Sequence, residues 1–376
     1  MSNKPACENR PLSILYLIYG FRVGGAESYL LDLCKGLDPQ KFRPEIIYFY
    51  PEEQMLPEFR EAGIPCSIFP VKGGEFTLRE MWGLSRLIKK LSPDIVHVHL
   101  FHASRFGAVA AFLAGSRRIV RTKHSVRKPG SKPGKRDRVW QALNHLTIST
   151  NVAVSEAVAR QIGAQHVIYN GIDTSYFDPG LVERTDHAVY PEKFGVKSGP
   201  VIGIAARLAL PKGHKTLLEA FSILLPHWPN SKLIIAGDGE ERDSLEALIL
   251  KLNLSEHVQI LGSIRNVREF LADLDIFAHP SILEGLGIAV IEAMSMERAI
   301  VATNVGGLPE LITDGVDGIL IEPDNPGALS EAMDRMLRQS ALRQEFGENA
   351  RKKAVEKFSI GTMIRKYEEL YLEICR

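Results

Sequence analysis

Short apolar runs alternate along this chain with segments whose apolar residues recur every three or four positions. The first pattern predicts buried strands, and the second predicts amphipathic helices. Strands are predicted at 12–18, 44–50, 64–69, 93–99, 118–122, 151–154, 201–206, 232–236, 258–261, 275–279, 299–303 and 318–321. Helices are predicted at 28–36, 55–62, 78–91, 155–162, 214–225, 288–296, 326–337, 340–356 and 358–375. This alternation is typical of an α/β protein with parallel sheets.

The length of the chain suggests more than one hydrophobic core. At 376 residues it is long for a single domain, and we expect two. A polar, irregular linker at 179–199 is expected between a domain at 1–178 and a second at 200–356, and a terminal segment follows at 357–376. An apolar fraction of 45% and a charged fraction of 24% are ordinary values, so the composition indicates a globular protein.

Charge is distributed unevenly along the chain. Residues 1–180 contain 24 Lys and Arg against 16 Asp and Glu, a net charge of +8, whereas the remainder carries −7. This asymmetry suggests that the two domains bind different partners.

The cysteines and the N-terminal residues indicate the cellular compartment in which we expect the protein. Cys7, Cys34, Cys66 and Cys375 lack metal-ligand spacing, which favours a reducing compartment and no zinc site. Residues 1–11 are polar, and no apolar run approaches the roughly 20 residues of a membrane span. We therefore expect a cytoplasmic protein without a signal peptide or a membrane span.

The most informative segment is 273–310, which predicts a strand, a glycine-containing loop, a helix and a second strand. The N-terminus of the helix, at Gly287 and Ile288, offers free N–H groups and a positive dipole end, which favour a phosphate. Glu284 and Glu292 would repel a phosphate but can accept hydrogen bonds from sugar hydroxyls. The alternative is an ordinary loop acid and a solvated helix acid. We interpret the segment as a nucleotide-sugar pocket.

These residues carry a family resemblance. Glu284 and Glu292 are separated by seven residues, as in the E-x7-E motif of retaining glycosyltransferases. The surrounding HPSILEGLGIAVIEAM, with the later GG-x-PE turn, resembles family 4 glycosyltransferases. The resemblance covers nearly the whole chain and is most specific at 201–310. It implies a GT-B fold, in which two Rossmann-like parallel-sheet domains face a cleft and the terminal helix returns to the first domain. It also implies that Glu284 holds the donor sugar and Glu292 the nucleotide ribose.

Three further residues of the second half belong to the expected donor site. Arg207 and Lys212 follow the predicted strand at 201–206, where an Arg fork and a Lys point charge suit a diphosphate. Their R-x4-K spacing is weak by itself but matches the diphosphate-binding pair of the family. Gly262 ends another predicted strand, near which the family binds the nucleotide base through backbone atoms.

The first half contributes two glycines and two histidines. Gly24 and Gly25 can adopt positive φ and let a ligand approach, although a plain strand-to-helix turn is the alternative. The GGAE stretch resembles the family's first loop, beside the transferred group. His97 and His99 share one face of a predicted strand, and His99 is expected on the acceptor side unless it is a satisfied core residue. His124, in VRTKHS, matches the family's histidine near the donor sugar and is favoured over His99 for that role.

A basic loop follows at 127–136 and includes Arg127 and Lys128. It is either a solvated, mobile loop or a contact for an anionic acceptor or a membrane surface. Nucleic acid is disfavoured because no aromatic residues interleave with the basic ones.

Together these features predict a retaining transferase of polysaccharide biosynthesis that uses a UDP- or GDP-sugar and a glycan, lipid-linked or other anionic acceptor. Arg207, Lys212 and the N–H groups at Gly287 and Ile288 would neutralise the leaving diphosphate, so no metal and no cofactor are expected. Two alternatives are a GT-B nucleotide-sugar epimerase or isomerase and a non-catalytic sugar-binding protein. The intact set of Arg207, Lys212, Glu284 and Glu292 argues against the second.

Overall fold

The computed structural model describes residues 10–22, 24–71, 73, 76–100, 103–126, 134–182 and 199–376. The chain divides into two compact units, of which unit 1 comprises Met1–Gly171 with Ile360–Arg376 and unit 2 comprises Ile172–Ser359. The division falls at Gly171, ahead of the stretch at 179–199 that the sequence suggests as a linker.

Unit 1 contains a parallel sheet. Its described strands are β1 (Leu12–Ile18), β2 (Phe42–Tyr48), β3 (Cys66–Ile68), β4 (Ile95–His99), β5 (Ile119–Lys123), β6 (Thr150–Ala153) and β7 (His166–Val167). They lie in the order β3-β2-β1-β4-β5-β6-β7, so the strand order reverses between β1 and β4. All their described pairings are parallel. Ligands of open parallel sheets bind at the carboxyl ends of the strands, near such a reversal.

Helices cover both faces of this sheet. They are α1 (Gly25–Gly36), α2 (Leu56–Glu61), α3 (Leu78–Leu91), α4 (Ala108–Leu113), α5 (Lys135–Thr147) and α6 (Glu156–Ile162), and a π-helical turn at Ala103–Gly107 leads into α4. The side chains of β1 alternate between two apolar cores, with Tyr16 in the core that contains α1 and Leu17 in the core that contains α3 and α4. A strand buried on both faces has the nearly continuous apolar sequence seen at β1.

The terminal helix of the chain completes unit 1. Met363 and Tyr367 lie in the same core as β1 and α1. The Tyr371 hydroxyl lies 2.7 Å from Nδ1 of His97, whose Nε2 lies 2.8 Å from Oγ1 of Thr122. Burial leaves these polar groups no water, so the network satisfies them and fixes the helix on the sheet.

Unit 2 contains a second parallel sheet. Its described strands are β8 (Val201–Ala205), β9 (Lys232–Ala236), β10 (Val258–Gly262), β11 (Ile276–His279), β12 (Ala299–Thr303) and β13 (Ile319–Ile321). The remaining helices are α7 (His214–Leu224), α8 (Arg242–Lys251), α9 (Val267–Ala272), α10 (Ile288–Ser295), α11 (Leu308–Leu311), α12 (Pro326–Arg338), α13 (Ser340–Lys357) and the terminal α14 (Ile360–Glu373) of unit 1. The strand order β10-β9-β8-β11-β12-β13 reverses between β8 and β11.

These two sheets confirm the predicted α/β class with parallel strands. Among the helices of the described residues, none combines the length and the apolar content that a membrane span requires.

Candidate active site

Two loops meet at the point where the strand order of unit 2 reverses. One follows β8 and carries Lys212, and the other follows β11 and carries Glu284. The amide of Ile282 donates to the carbonyl oxygen of Pro211 over 2.8 Å. Gly213 has a φ of +71°, and a Cβ there would lie 1.9 Å from the carbonyl oxygen of Pro280. Only glycine suits this position, and the close approach holds the two loops in one register.

The locked loops bring Lys212 and Glu284 into direct contact. The Lys212 ammonium donates to Oε2 of Glu284 over 2.6 Å. The same oxygen lies 2.9 Å from Nε2 of His279 and 3.3 Å from the Ser281 hydroxyl. Oε1 of Glu284 has no hydrogen-bond partner among the residues that the structure describes. Glu284 is thus held through one oxygen, and the other is available to a ligand.

The environment of Glu284 keeps it ionised. Burial by itself would raise the pKa of this carboxyl group, but the hydrogen bond from His279 and the charge of Lys212 outweigh that effect. The pKa of Glu284 is consequently lowered to about 2. At neutral pH this side chain is a hydrogen-bond acceptor and not a general acid.

Glu292 lies in a different environment. It belongs to α10, is half-buried, and makes no side-chain hydrogen bond within the described residues. Burial raises its pKa to about 7, and no described cation opposes the shift. The two glutamates of the motif therefore differ in charge near neutral pH, which supports separate roles for them.

The N-terminus of α10 lies beside Glu284. Gly287 caps this helix with a φ of +103°, a conformation that side-chain-bearing residues rarely adopt. The N–H groups of Gly287 and Ile288 have no partner among the described residues, so they can donate to an anion. The neighbouring loop approaches closely, because a Cβ on Gly306 would lie 1.8 Å from the carbonyl oxygen of Glu284. Gly306 of the GG-x-PE turn thus allows the two loops to touch.

Arg207 and Gly262 occupy the edge of this region. Arg207 lies two residues after the end of β8, and 69% of its side chain is exposed. Its nearest described carboxylate oxygen, Oε1 of Glu240, is 3.9 Å away, and it makes no described contact with Lys212 or Glu284. Gly262 has a φ of +77°, and its carbonyl oxygen accepts from Gly237 N–H over 2.8 Å. The roles expected for Arg207 and Gly262 stay predictions.

Sequence reasoning missed two buried histidines of this site. His279 ends β11 and contacts Glu284, and His214 begins α7 with no described partner on either ring nitrogen. Burial, then the neighbouring His279 and Lys212, lower the pKa of His214 to about 4. A polar residue at the carboxyl end of an apolar run was the available signal for His279.

The expected conformation of the glycine pair in unit 1 was wrong. Gly24 has a φ of −170°, and Gly25 is absent from the described residues with positive φ. A Cβ on Gly24 would lie 2.8 Å from Oε2 of Glu27, so a larger residue there would displace the end of that side chain. Glu27 is buried at the first turn of α1, and burial raises its pKa.

His97, His99 and His124 lie side by side, as the shared strand face predicts for the first two. His99 is fully buried, and the acceptor-side role expected for it stays a prediction. Burial, with the charge of Lys123, lowers the pKa of His124 to about 4. Burial and the neighbouring histidines also lower the pKa of His99. Both imidazoles are therefore neutral at physiological pH.

A cavity of about 950 Å³ opens in unit 1 beside His124. Charged residues line it: Arg22, Arg105, Arg121, Lys123, Glu27 and Asp137. Arg105 pairs with Asp137 of α5, a helix that the sequence did not predict. The cations outnumber the acids, so the cavity suits an anionic group. The basic residues Arg127 and Lys128, expected on the acceptor side, lie outside the described residues.

Comparison with known proteins gives concordant matches for the two halves. Residues 188–353 match the family model "Glycosyl transferases group 1", and residues 23–176 match "Glycosyltransferase Family 4". The chain is 33% identical to an uncharacterized glycosyltransferase of Methanocaldococcus jannaschii, with 93% of this chain and 94% of that protein covered.

Two further proteins are similar over most of their length. One is the Escherichia coli UDP-Gal:alpha-D-GlcNAc-diphosphoundecaprenol alpha-1,3-galactosyltransferase, 26% identical over 79% of this chain and 80% of that protein. The other is Anabaena HepE in its crystal structure with UDP and glucose, at a TM-score of 0.84 and 25% identity. That comparison covers 96% of this chain and 99% of HepE.

Proposed function

The chain belongs to the group 1 glycosyltransferases of family 4 and has their GT-B fold, and we propose that it transfers a sugar, with retention, from a UDP- or GDP-sugar to an anionic acceptor. The observation that carries the proposal is the contact between Lys212 and Glu284 beside the N-terminus of α10. This contact places a cation that can bind phosphate next to a carboxylate that can bind sugar hydroxyls. A site that recognises a nucleotide sugar needs both groups.

In this proposal the leaving diphosphate is stabilised by protein groups. Lys212 supplies a point charge, Arg207 swings in from its exposed position, and the N–H groups of Gly287 and Ile288 complete the set. Lys212 and the N–H groups of Gly287 and Ile288 lie on the two neighbouring loops before the donor binds. Donors held where negative charge increases lower a transition-state barrier. We propose that they take the place of a divalent metal, so that catalysis needs no metal and no cofactor.

In this proposal the two glutamates bind different parts of the nucleotide-sugar donor. Oε1 of Glu284 accepts hydrogen bonds from the transferred sugar, while His279 and Lys212 hold Oε2. Glu292 accepts hydrogen bonds from the ribose hydroxyls. The donors to Oε2 stabilise the ionised carboxylate of Glu284 and so make it a weaker nucleophile. We therefore favour attack by the acceptor on the face that the diphosphate leaves.

On the acceptor side we propose that the basic cavity of unit 1 holds an anionic group of the acceptor, and that His124 contacts the transferred sugar. The name of the Escherichia coli relative gives it a UDP-sugar donor and a diphosphate-linked lipid acceptor, which supports UDP and a lipid-linked diphosphate here. HepE, crystallised with UDP and glucose, supports the same nucleotide. The free thiols of Cys34, Cys66 and Cys375 fit the proposed cytoplasmic location.

Nucleotide binding and donor turnover test this proposal. The melting temperature is measured with UDP, GDP, ADP and no nucleotide, and a nucleotide at 100 times its Kd should stabilise by about 2.7 kcal/mol. UDP- and GDP-sugars are then incubated with and without a polyprenyl diphosphate sugar. Acceptor-dependent release of UDP or GDP, with an α-linked product, supports a retaining transferase. Conversion of the donor to another nucleotide sugar without an acceptor indicates an epimerase or isomerase, and binding without turnover indicates a sugar-binding protein.

A further inference from the structure

The outward surface of α3 has an unusual composition. Leu78 and Trp82 are 76% and 60% exposed, although large apolar side chains are normally buried. Four basic residues share the exposed part of the helix: Arg79, Arg86, Lys89 and Lys90. At 100° per residue these six side chains fall within one third of the helix circumference, which we call the α3 face.

Among the residues that the structure describes, no acid pairs with the basic side chains of the α3 face. Glu80, the only acidic residue between Leu78 and Leu91, accepts hydrogen bonds of 2.7 Å from the N–H and the hydroxyl of Thr77 at the helix cap. Within the described residues the four basic side chains have no carboxylate partner. Ordinary protein surfaces mix both signs of charge, so four unpaired cations around two exposed apolar side chains form a distinct surface.

The fold of unit 1 does not use this surface. The opposite side of α3 is buried through Leu84, Ser85 and Ile88, and a capping box fixes the first turn. The adjacent α4 packs against α3 and exposes Phe112 and Leu113, and the Arg117 guanidinium lies 5.5 Å from the ring of Phe112. The mixture of exposed apolar and basic side chains therefore continues beyond α3.

We propose that the α3 face docks on an anionic lipid surface. Leu78 and Trp82, one turn apart, would enter the boundary between headgroups and acyl chains, while the four cations contact lipid phosphates. Charge complementarity selects an anionic bilayer over a neutral one. The large exposed aliphatic and indole side chains, which phosphate contacts do not need, favour lipid over nucleic acid.

This inference rests on the proposed function, because it gives a lipid-linked acceptor a route to the cavity of unit 1. Phe76, next to the cap of α3, stacks on Phe106 with ring centroids 4.9 Å apart. Phe106 follows Arg105, which lines the basic cavity. A bilayer at the α3 face would thus present the diphosphate of a membrane-anchored acceptor to the same unit that contains the cavity.

Vesicle binding of three variants tests the docking surface. The first variant carries Leu78→Ser and Trp82→Ser, and the second carries Gln at positions 79, 86, 89 and 90. The control carries Ile223→Ser on α7 and Leu250→Ser on α8, which are also exposed apolar residues but lie in unit 2. Flotation is measured with phosphatidylcholine vesicles that contain either no phosphatidylglycerol or an equal part of it, at 0.1 M and 1 M salt.

We expect the parent and the control to bind only the anionic vesicles. Both α3 variants should bind at least 10-fold more weakly, and the charge variant should lose most of its salt dependence. Donor hydrolysis should not change, because the α3 face contains none of the proposed donor-site residues. Equal vesicle binding by the variants and the parent, or no vesicle binding by the parent, overturns the proposal. Capture of acidic protein or RNA by the parent, without vesicle binding, overturns it in favour of that partner.

The two proposals fail in distinguishable ways. Absence of nucleotide-sugar turnover with intact anionic-vesicle binding contradicts the proposed function but not the docking surface. Turnover with a water-soluble acceptor analogue and no vesicle binding contradicts the docking surface alone.

Discussion

Nδ1 of His99 lies 3.2 Å from Nε2 of His124, so one of these two neutral rings donates its proton to the other. The register of the sheet sets this contact, because His99 pairs with Thr122 and His124 stands two residues further on. The edge of the Tyr29 ring packs on His124, with ring centroids 5.1 Å apart. The tautomers of the two rings are thereby coupled. If His99 donates from Nδ1, His124 carries its proton on Nδ1, and if His124 donates from Nε2, His99 carries its proton on Nε2.

Replacement of His99 should reveal this coupling. In His99→Leu, Nε2 of His124 loses its partner, which costs about 1–3 kcal/mol of stability and should lower kcat. His99→Asn places an amide near the position of Nδ1 and should restore most of the kcat. ¹⁵N chemical shifts of the His124 ring report its tautomer directly, and an unchanged tautomer and kcat in His99→Leu would contradict the prediction.

Lys212→Ala and Arg207→Ala should both lower turnover. Each removes a charge-assisted hydrogen bond to the diphosphate worth about 1.5–3 kcal/mol, which corresponds to roughly 10- to 150-fold in kcat. Their effects on stability should differ, because Lys212 pairs with the largely buried carboxylate of Glu284, whereas Arg207 is mostly exposed. Melting temperature should fall in Lys212→Ala and stay unchanged in Arg207→Ala. Near-normal turnover in both variants would exclude the diphosphate assignment.

Glu284→Gln and Glu292→Gln should impair different properties of the enzyme. The first should lower kcat and the discrimination between donor sugars, because it replaces the carboxylate that accepts hydrogen bonds from the sugar hydroxyls. The second should weaken the binding of the nucleotide part. Competitive inhibition by free UDP or GDP separates the two, since its inhibition constant should rise only in Glu292→Gln. A rise confined to Glu284→Gln would mean that the two roles are reversed.

The opposite pKa shifts of these glutamates predict opposite effects of pH on stability. The pKa of Glu292 is raised from 4.5 to about 7, so the folded state loses stability as pH rises between those values. The free energy of unfolding of Glu292→Gln, minus that of the parent, should therefore rise by about 1–3 kcal/mol from pH 4.5 to pH 8.

For Glu284 the pKa is lowered to about 2, so its contribution is present above pH 4.5 and is lost as pH falls towards 2. Glu284→Gln should hence be destabilised at pH 8. Urea midpoints of each variant and the parent at the same pH check both signs. A Glu292→Gln difference that does not vary with pH would show that Glu292 titrates normally.

Activity should persist in excess EDTA. The proposed neutralising groups are all protein donors, and they are present before the donor binds. The comparison is initial rate after dialysis against EDTA, with and without added magnesium or manganese. If activity disappears in EDTA and either metal restores it, the metal-free mechanism is wrong.

Local pattern was sufficient for most elements of the fold. The runs at β1, β9 and β12 and the periodicity of α3 coincide with the observed boundaries, because burial dictates their residue types. The helix α5 was not predicted, because little of it is buried and burial therefore does not dictate its residue types. Thr147 is its only buried residue with a described side chain, so its sequence has little apolar periodicity.

The composition of the site was less predictable than its location. The motif identified Glu284 and Lys212, but their contact depends on the pairing of β8 with β11, where Ile202 pairs with Ile276. That pairing brings together residues 72 positions apart. The partnership of His279 with Glu284 and the contact of His99 with His124 also require the folded sheet. The residue types in the sequence indicate which chemical groups the site can contain. The register between strands that are distant in sequence decides which of these groups come into contact.

The place of α14 in unit 1 has a consequence for synthesis of the protein. Residues up to Gly171 leave the ribosome first, yet the core that they form also requires Tyr367 and Tyr371. At about 5–20 residues per second, roughly 10–40 s separate the two events. During that interval Tyr16 and His97 lie in an uncovered groove of the nascent chain. Completion of this core therefore waits for translation of the second half, and we expect the nascent chain to expose apolar surface of the kind that chaperones bind.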